Sequence, residues 1–155
     1  MSWSTVNFGK HKGKTLPQII FIDPDWFFWA VEEDIFKNKG SLNLEAQELY
    51  EKACNIRIKN KKGEKMLAEY IIHPSTNKFS HFNIVPESQP EHEGSSPTFL
   101  EEVIDLSIPR EIAPYDKLGC RHMLTSLKFH VFGNSNTRMT KKRCEEFFED
   151  PKNFV

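Results

Sequence analysis

Asp23-Pro24 falls in the middle of the most apolar window of the chain, Ile19 to Val31, and limits what that window can become. The residue before a proline is pushed out of the helical region, so a helix entering from Thr15-Leu16-Pro17 must stop there. Asp23 then caps a second helix, with Pro24 at its first position. The window is two short helices rather than one long one. Trp26, Phe27, Trp29, Ala30 and Val31 give the second helix a thick apolar face, and Glu32, Glu33 and Asp34 face water. The same break leaves no run near the ~18 apolar residues of a membrane span.

A chain of 155 residues suits one domain, or a small module joined to a larger one. Hydrophobic residues are 38% and charged residues 28%, but 13 Phe supply enough buried area for a real core. The formal net charge of -1 gives no global field toward nucleic acid or membrane, so electrostatics must act through local patches. Cys54, Cys120 and Cys144 lack zinc-knuckle spacing, and free thiols in a reducing cytoplasm are the simpler expectation. Met1 to Asn7 does not read as a signal peptide. No cofactor or metal is expected.

The expected fold class is α+β: a short N-terminal strand-loop-helices module, a three-stranded antiparallel meander, and C-terminal helices. Trp3, Val6 and Phe8 suit a short strand. Ser41 to Cys54 is helical in pattern, with Leu42, Ala46, Leu49, Tyr50 and Ala53 on one side. Asn55–Lys59, Met66–His73 and Phe79–Val85, separated by turn sequences, read as the meander. Pro86 to Pro97 has no large apolar residue and reads as a flexible linker. Beyond it, Thr98 to Asp105 reads as a helix and Ser107 to Ile112 as extended. Pro114 to Phe132 reads as a long helix weakened by Gly119, and Thr140 caps a last one. The expected division is residues 1–40 and 41–155, within one compact domain or two.

Between the first strand and the first helix runs Gly9-Lys10-His11-Lys12-Gly13-Lys14. Glycines allow close backbone approach, and a helix entrance offers free N–H groups, so phosphate is the ligand such a loop suits. A solvated hairpin-like turn is the alternative. A P-loop needs four residues between its glycines and this loop has three, so nucleotide hydrolysis is rejected. Val6-Asn7-Phe8-Gly9-Lys10-His11-Lys12-Gly13-Lys14-Thr15-Leu16, followed by Asp23-Pro24-Asp25-Trp26-Phe27-Phe28-Trp29-Ala30, resembles the C-terminal module of exodeoxyribonuclease X. It is similar also to the related quorum-sensing-regulated virulence factor family. His11 stands where that pattern usually has Tyr, and Ala30 where Leu is common. The likeness covers residues 6–30. It implies an accessory module that touches nucleic acid, without the exonuclease's catalytic carboxylates.

Charge is uneven in the second half. Glu87 to Glu111 holds seven acidic residues and one basic, Arg110. Lys117 to Arg143 holds seven basic residues and no acidic one: Lys117, Arg121, Lys128, Arg138, Lys141, Lys142 and Arg143. Cations in the first turn of the last helix oppose its dipole, a cost an anionic partner would offset. The bland counterpart is a solvated face with pairs such as Lys142–Glu146. Another basic cluster runs from Arg57 to Lys65.

No triad, Walker motif or metal cluster emerges. Glu32, Glu33 and Asp34 diverge on a helix. Cys120 and His122 point apart, and His73 and His81 lack a carboxylate partner. The expectation is a nucleic-acid-binding accessory module, DNA or RNA, using Lys10, His11, Lys12, Lys14, Lys128, Arg138, Lys141, Lys142 and Arg143. The alternatives are a protein-interaction or regulatory adaptor of phage or bacterial effector type, and a small metal-dependent nuclease.

Overall fold

Asp23 does the work its position requires. Its N–H closes the helix α1 (Leu16–Ile22) on Ile19 O at 2.7 Å, and its carboxylate accepts from Trp26 N to open α2 (Pro24–Glu32). The computed structural model describes residues 2–88, 94 and 96–155. A third helix, α3 (Ser41–Ala53), buries Leu42, Ala46, Leu49 and Ala53. Next come β1 (Ile56–Arg57), β2 (Met66–Ile72), β3 (Phe79–Pro86), β4 (Thr98–Glu101) and β5 (Val103–Ile104). The chain ends in α4 (Ile108–Ile112), α5 (Lys117–Phe132), α6 (Lys141–Glu149) and a 3₁₀ turn at Pro151–Asn153. Among the described residues no helix is long and apolar enough to cross a membrane.

The class is α+β with a three-stranded antiparallel sheet, in the order β3-β2-β4. The third strand is not Asn55–Lys59. That segment supplies β1, which pairs with β5 in a separate two-stranded ladder. Thr98–Asp105 is likewise extended rather than helical. Phe99 and Leu100 complete the edge of β2 opposite Tyr70 and Glu69, and the Phe99 ring stacks on Tyr70 at 5.1 Å. A central strand needs partners on both edges, and that demand outweighs local helix preference. Tyr70 then fixes the exit. Its hydroxyl donates to Val103 O and accepts from Asp105 N, both at 2.9 Å. Asp105 accepts from Ser107 N–H and hydroxyl, turning the chain into α4 where extended backbone was expected.

The segment 86–97 joins β3 to β4, the two strands that flank β2. Its central part, 89–93 and 95, lies outside the described residues. Trp3 to Phe8 forms no strand; one isolated bridge, Thr5 with Thr15, closes the loop between them. The long helix starts three residues later than Pro114. Asp116 caps it by accepting from Gly119 N at 2.9 Å, and Tyr115 before it takes a left-handed φ of 58°.

One hydrophobic cluster runs from Trp3 to Phe154 and uses the phenylalanines as its mortar. Phe21 of α1 meets Phe132, Phe147 and Phe148 with centroids 6.2, 5.6 and 5.7 Å away. Such offset and edge contacts add to the area each ring buries. The outer edge of β3 is covered by α5: Phe82 donates to Ser126 Oγ at 3.4 Å, and Phe82 O lies 3.2 Å from His130 Nε2.

Candidate nucleic-acid interface

The Gly-Lys loop is a closed turn. Val6 N donates to Lys14 O at 2.8 Å, Gly13 N to Val6 O at 2.7 Å, and Lys14 N to His11 O at 3.1 Å. Gly9 (φ 69°) and Gly13 (φ 89°) hold left-handed backbone that favours glycine. At the entrance of α1, Thr15 N donates to Gln18 Oε1. The amides of Lys12, Gly13 and Lys14 thus serve the turn itself, as in the hairpin-like alternative. Its side chains divide. Lys10 pairs with Asp23 at 2.9 Å. His11 is buried, its Nε2 3.0 Å from the same carboxylate oxygen and its ring edge-on to Trp26 at 5.0 Å. Burial opposes ionisation of Asp23, but the hydrogen bonds from Lys10 and His11 outweigh it and hold the carboxyl below its usual range. Lys12 is exposed and Lys14 half-buried.

Lys10 does not stand alone. It lines one open groove of about 300 Å³ with Asp23, Lys117 and Arg121, bringing the loop against the start of α5. From there a cationic line follows the helix. At 3.6 residues per turn, Lys117, Arg121 and Lys128 fall within roughly 40° of one another, over about 17 Å of axis. Lys117 and Arg121 are exposed and Lys128 is half-buried; Cys120, Met123 and Leu127 fill the buried side, and buried Leu124, between Arg121 and Lys128 in sequence, borders the line. α5 contains no carboxylate. Beside the line stand exposed apolar groups: Phe129 is 57% exposed and Tyr115, one residue before the cap, 80%.

The far end of the line reaches α6. Lys128 and Arg143 both act electrostatically on the Cys144 thiol, which burial pushes up to about 12. Arg143 donates to Arg138 O, binding the approach loop to the helix it enters. Thr15 donates to Glu145 Oε2 at 2.8 Å, and Lys141 Nζ lies 3.6 Å from that oxygen. The end of the Gly-Lys loop and the start of α6 are therefore neighbours. Lys142 pairs with Glu146 at 3.8 Å across an exposed face. Such exposed pairs are worth ~0–1 kcal/mol and yield readily to a stronger anion. Loop, α5 and α6 are brought together. Sequence reasoning singled out Lys128 but left Lys117, Arg121, Tyr115 and Phe129 out of the site. The spacing of four and seven residues between the cations carried that signal once a helix was granted.

Other candidates take structural roles. Asp25 and Glu32 are the partners of Arg110, whose Nη2 reaches Glu32 at 2.8 Å. Burial pushes the Cys54 and Cys120 thiols up to about 12, far from reactive thiolates. His73, His81 and His122 line one groove with Asp116, yet among the described residues no group of His, Cys, Asp or Glu could hold a metal ion. Comparison of the chain with protein-family models, curated proteins and solved structures finds no match.

Proposed function

We propose that this protein binds single-stranded nucleic acid along the outer face of α5, with the start of α6 and the end of the Gly-Lys loop extending the contact. The observation that carries the reading is the cation line Lys117–Arg121–Lys128, on a helix whose own sequence holds no carboxylate, with the exposed rings of Tyr115 and Phe129 near its two ends. Three cations spread over ~17 Å of helix, with the cations of α6 beyond them, offer about five phosphate contacts to a single strand. Exposed aromatic side chains beside a basic track are platforms on which unpaired bases stack. Lys14, Lys141, Lys142, Arg138 and Arg143 continue the positive surface. Lys10 and His11 act through Asp23 instead, holding the loop in place. The motif likeness of residues 6–30 points to the same partner. A reducing cytoplasmic setting fits three cysteines that are free thiols.

Fluorescence anisotropy with labelled single-stranded oligonucleotides at varied salt tests this. About five phosphate contacts give a log–log salt slope near -3.5. Arg121→Gln with Lys128→Gln lowers that slope by ~1.4. Phe129→Ala costs ~1–3 kcal/mol on a single strand and far less on a duplex, where bases are already stacked. Absence of binding at low salt, or a salt slope indifferent to the α5 variants, overturns the reading.

A further inference from the structure

On another side of the molecule, five elements meet around a partly open cavity of about 200 Å³. Ile56 and Ile58 come from β1 and the strand-like segment after it. Ile84 comes from β3, Ile104 from β5, Val131 from the end of α5 and Phe147 from α6. These two sheets share no hydrogen-bonded strand pair, and the wedge between them is where the cavity lies. Its walls are mainly apolar, with His130 and Asn153 among them, and Arg57, Lys59 and Lys61 also line it; among the described residues the lining includes no carboxylate. The Arg57 guanidinium is anchored on Phe154 O at 2.8 Å, whereas Lys59 and Lys61 are exposed. The strand edge adds direction. Alternation along an antiparallel strand points the peptides of Phe82 and Ile84 to the same side. Side chains of α5 cover the peptide of Phe82, and Ile84 lines the cavity two residues on.

We infer that this cavity is a binding site for a small organic anion with an apolar body of one ring or a short aliphatic chain. The ligand's body fills the space between the isoleucines and Phe147. Its charged head lies among Arg57, Lys59 and Lys61. Size sets the body: an apolar cavity of ~150 Å³ holds one benzene, while drug-sized ligands need roughly 300–1,000 Å³. Charge sets the head, because Arg57, Lys59 and Lys61 come together at the lining with no carboxylate among its described residues, and an anion entering there meets attraction at the mouth. The site is independent of the α5 surface: none of Lys117, Arg121 and Lys128 lines it.

The test is a titration of the full chain with 3-phenylpropionate, followed by amide chemical shifts, with 3-phenylpropionamide as the uncharged control. Saturable shifts centred on Ile58, Lys59, Ile84 and Val131 are expected, with the amide binding roughly tenfold more weakly. Lys59→Glu with Lys61→Glu, both at exposed positions, weakens the carboxylate by a similar factor and leaves the amide unchanged. Val131→Trp fills the cavity and abolishes both. Arg121→Gln with Lys128→Gln, which tests the nucleic-acid surface, leaves this binding untouched. Shifts that fail to saturate by about 10 mM, or equal affinity for acid and amide, overturn the inference.

Discussion

Gly119 occupies the third position of α5, where helix propensity alone would favour alanine by about 1 kcal/mol. The structure reverses that sign. A Cβ on Gly119 would stand 2.1 Å from Asp116 Oδ2, inside the carboxylate that caps the helix by accepting from Gly119 N. Asp116 is buried, so it cannot swing into solvent without leaving the cap. Gly119→Ala therefore destabilises the protein by ~1–3 kcal/mol, combining a lost cap with overpacking. The urea midpoint is expected to fall; a rise would show that the cap moves freely. Reading Gly119 as a weak point follows from propensity, because the contact that makes it necessary depends on where Asp116 turns. The caps themselves were legible. Asp23 and Thr140 accept from Trp26 N and Arg143 N, as their types and positions required.

At the scale of elements, α4 is held to α2 by charge. Arg110 reaches Asp25 and Glu32, and both Arg110 and Asp25 are largely withdrawn from water. Removing one member of such a pair leaves the other buried and uncompensated, so Arg110→Met is expected to cost ~3–5 kcal/mol. Arg110→Met combined with Asp25→Asn recovers much of that loss. A double-mutant cycle in urea reads the coupling, and additive losses would dissolve the clamp as an energetic unit. Helices α1, α2 and α6 were visible in the sequence because their apolar residues and their cap or proline signals agree, and α3 by its apolar periodicity alone. Thr98–Asp105 was not, because Phe99, Leu100, Val103 and Ile104 suit a short helix as well as strands. What decides between them is the open edge of β2 and the Tyr70 hydroxyl, both distant in sequence. The candidate interface shows the same division. Its charges could be counted from the chain, but the nearness of Lys10 to Lys117 and Arg121, and of Thr15 to Lys141, depends on packing.

Across the whole molecule, aromatic contacts stitch the beginning of the chain to its end. Phe147 touches Phe21, Phe132, Phe148 and Phe154, while Val155 N donates to Asn55 O beside β1. Phe147→Ala is expected to cost ~3–5 kcal/mol. Trp3, Trp26 and Trp29 all lie in the first forty residues, so tryptophan fluorescence reports that region while far-ultraviolet circular dichroism reports the full chain. The two transitions are expected to coincide and to shift together in Phe147→Ala; separate midpoints would divide the protein into independently folding parts. The seal on β3 has a consequence of its own. Ser126 and His130 occupy the peptide groups of Phe82, so the helix bearing the cation line also hides a ready template for strand addition. Whatever loosens α5 from the sheet offers that strand to a neighbouring copy, and loss of the helix seat and growth of fibrillar assemblies become one event.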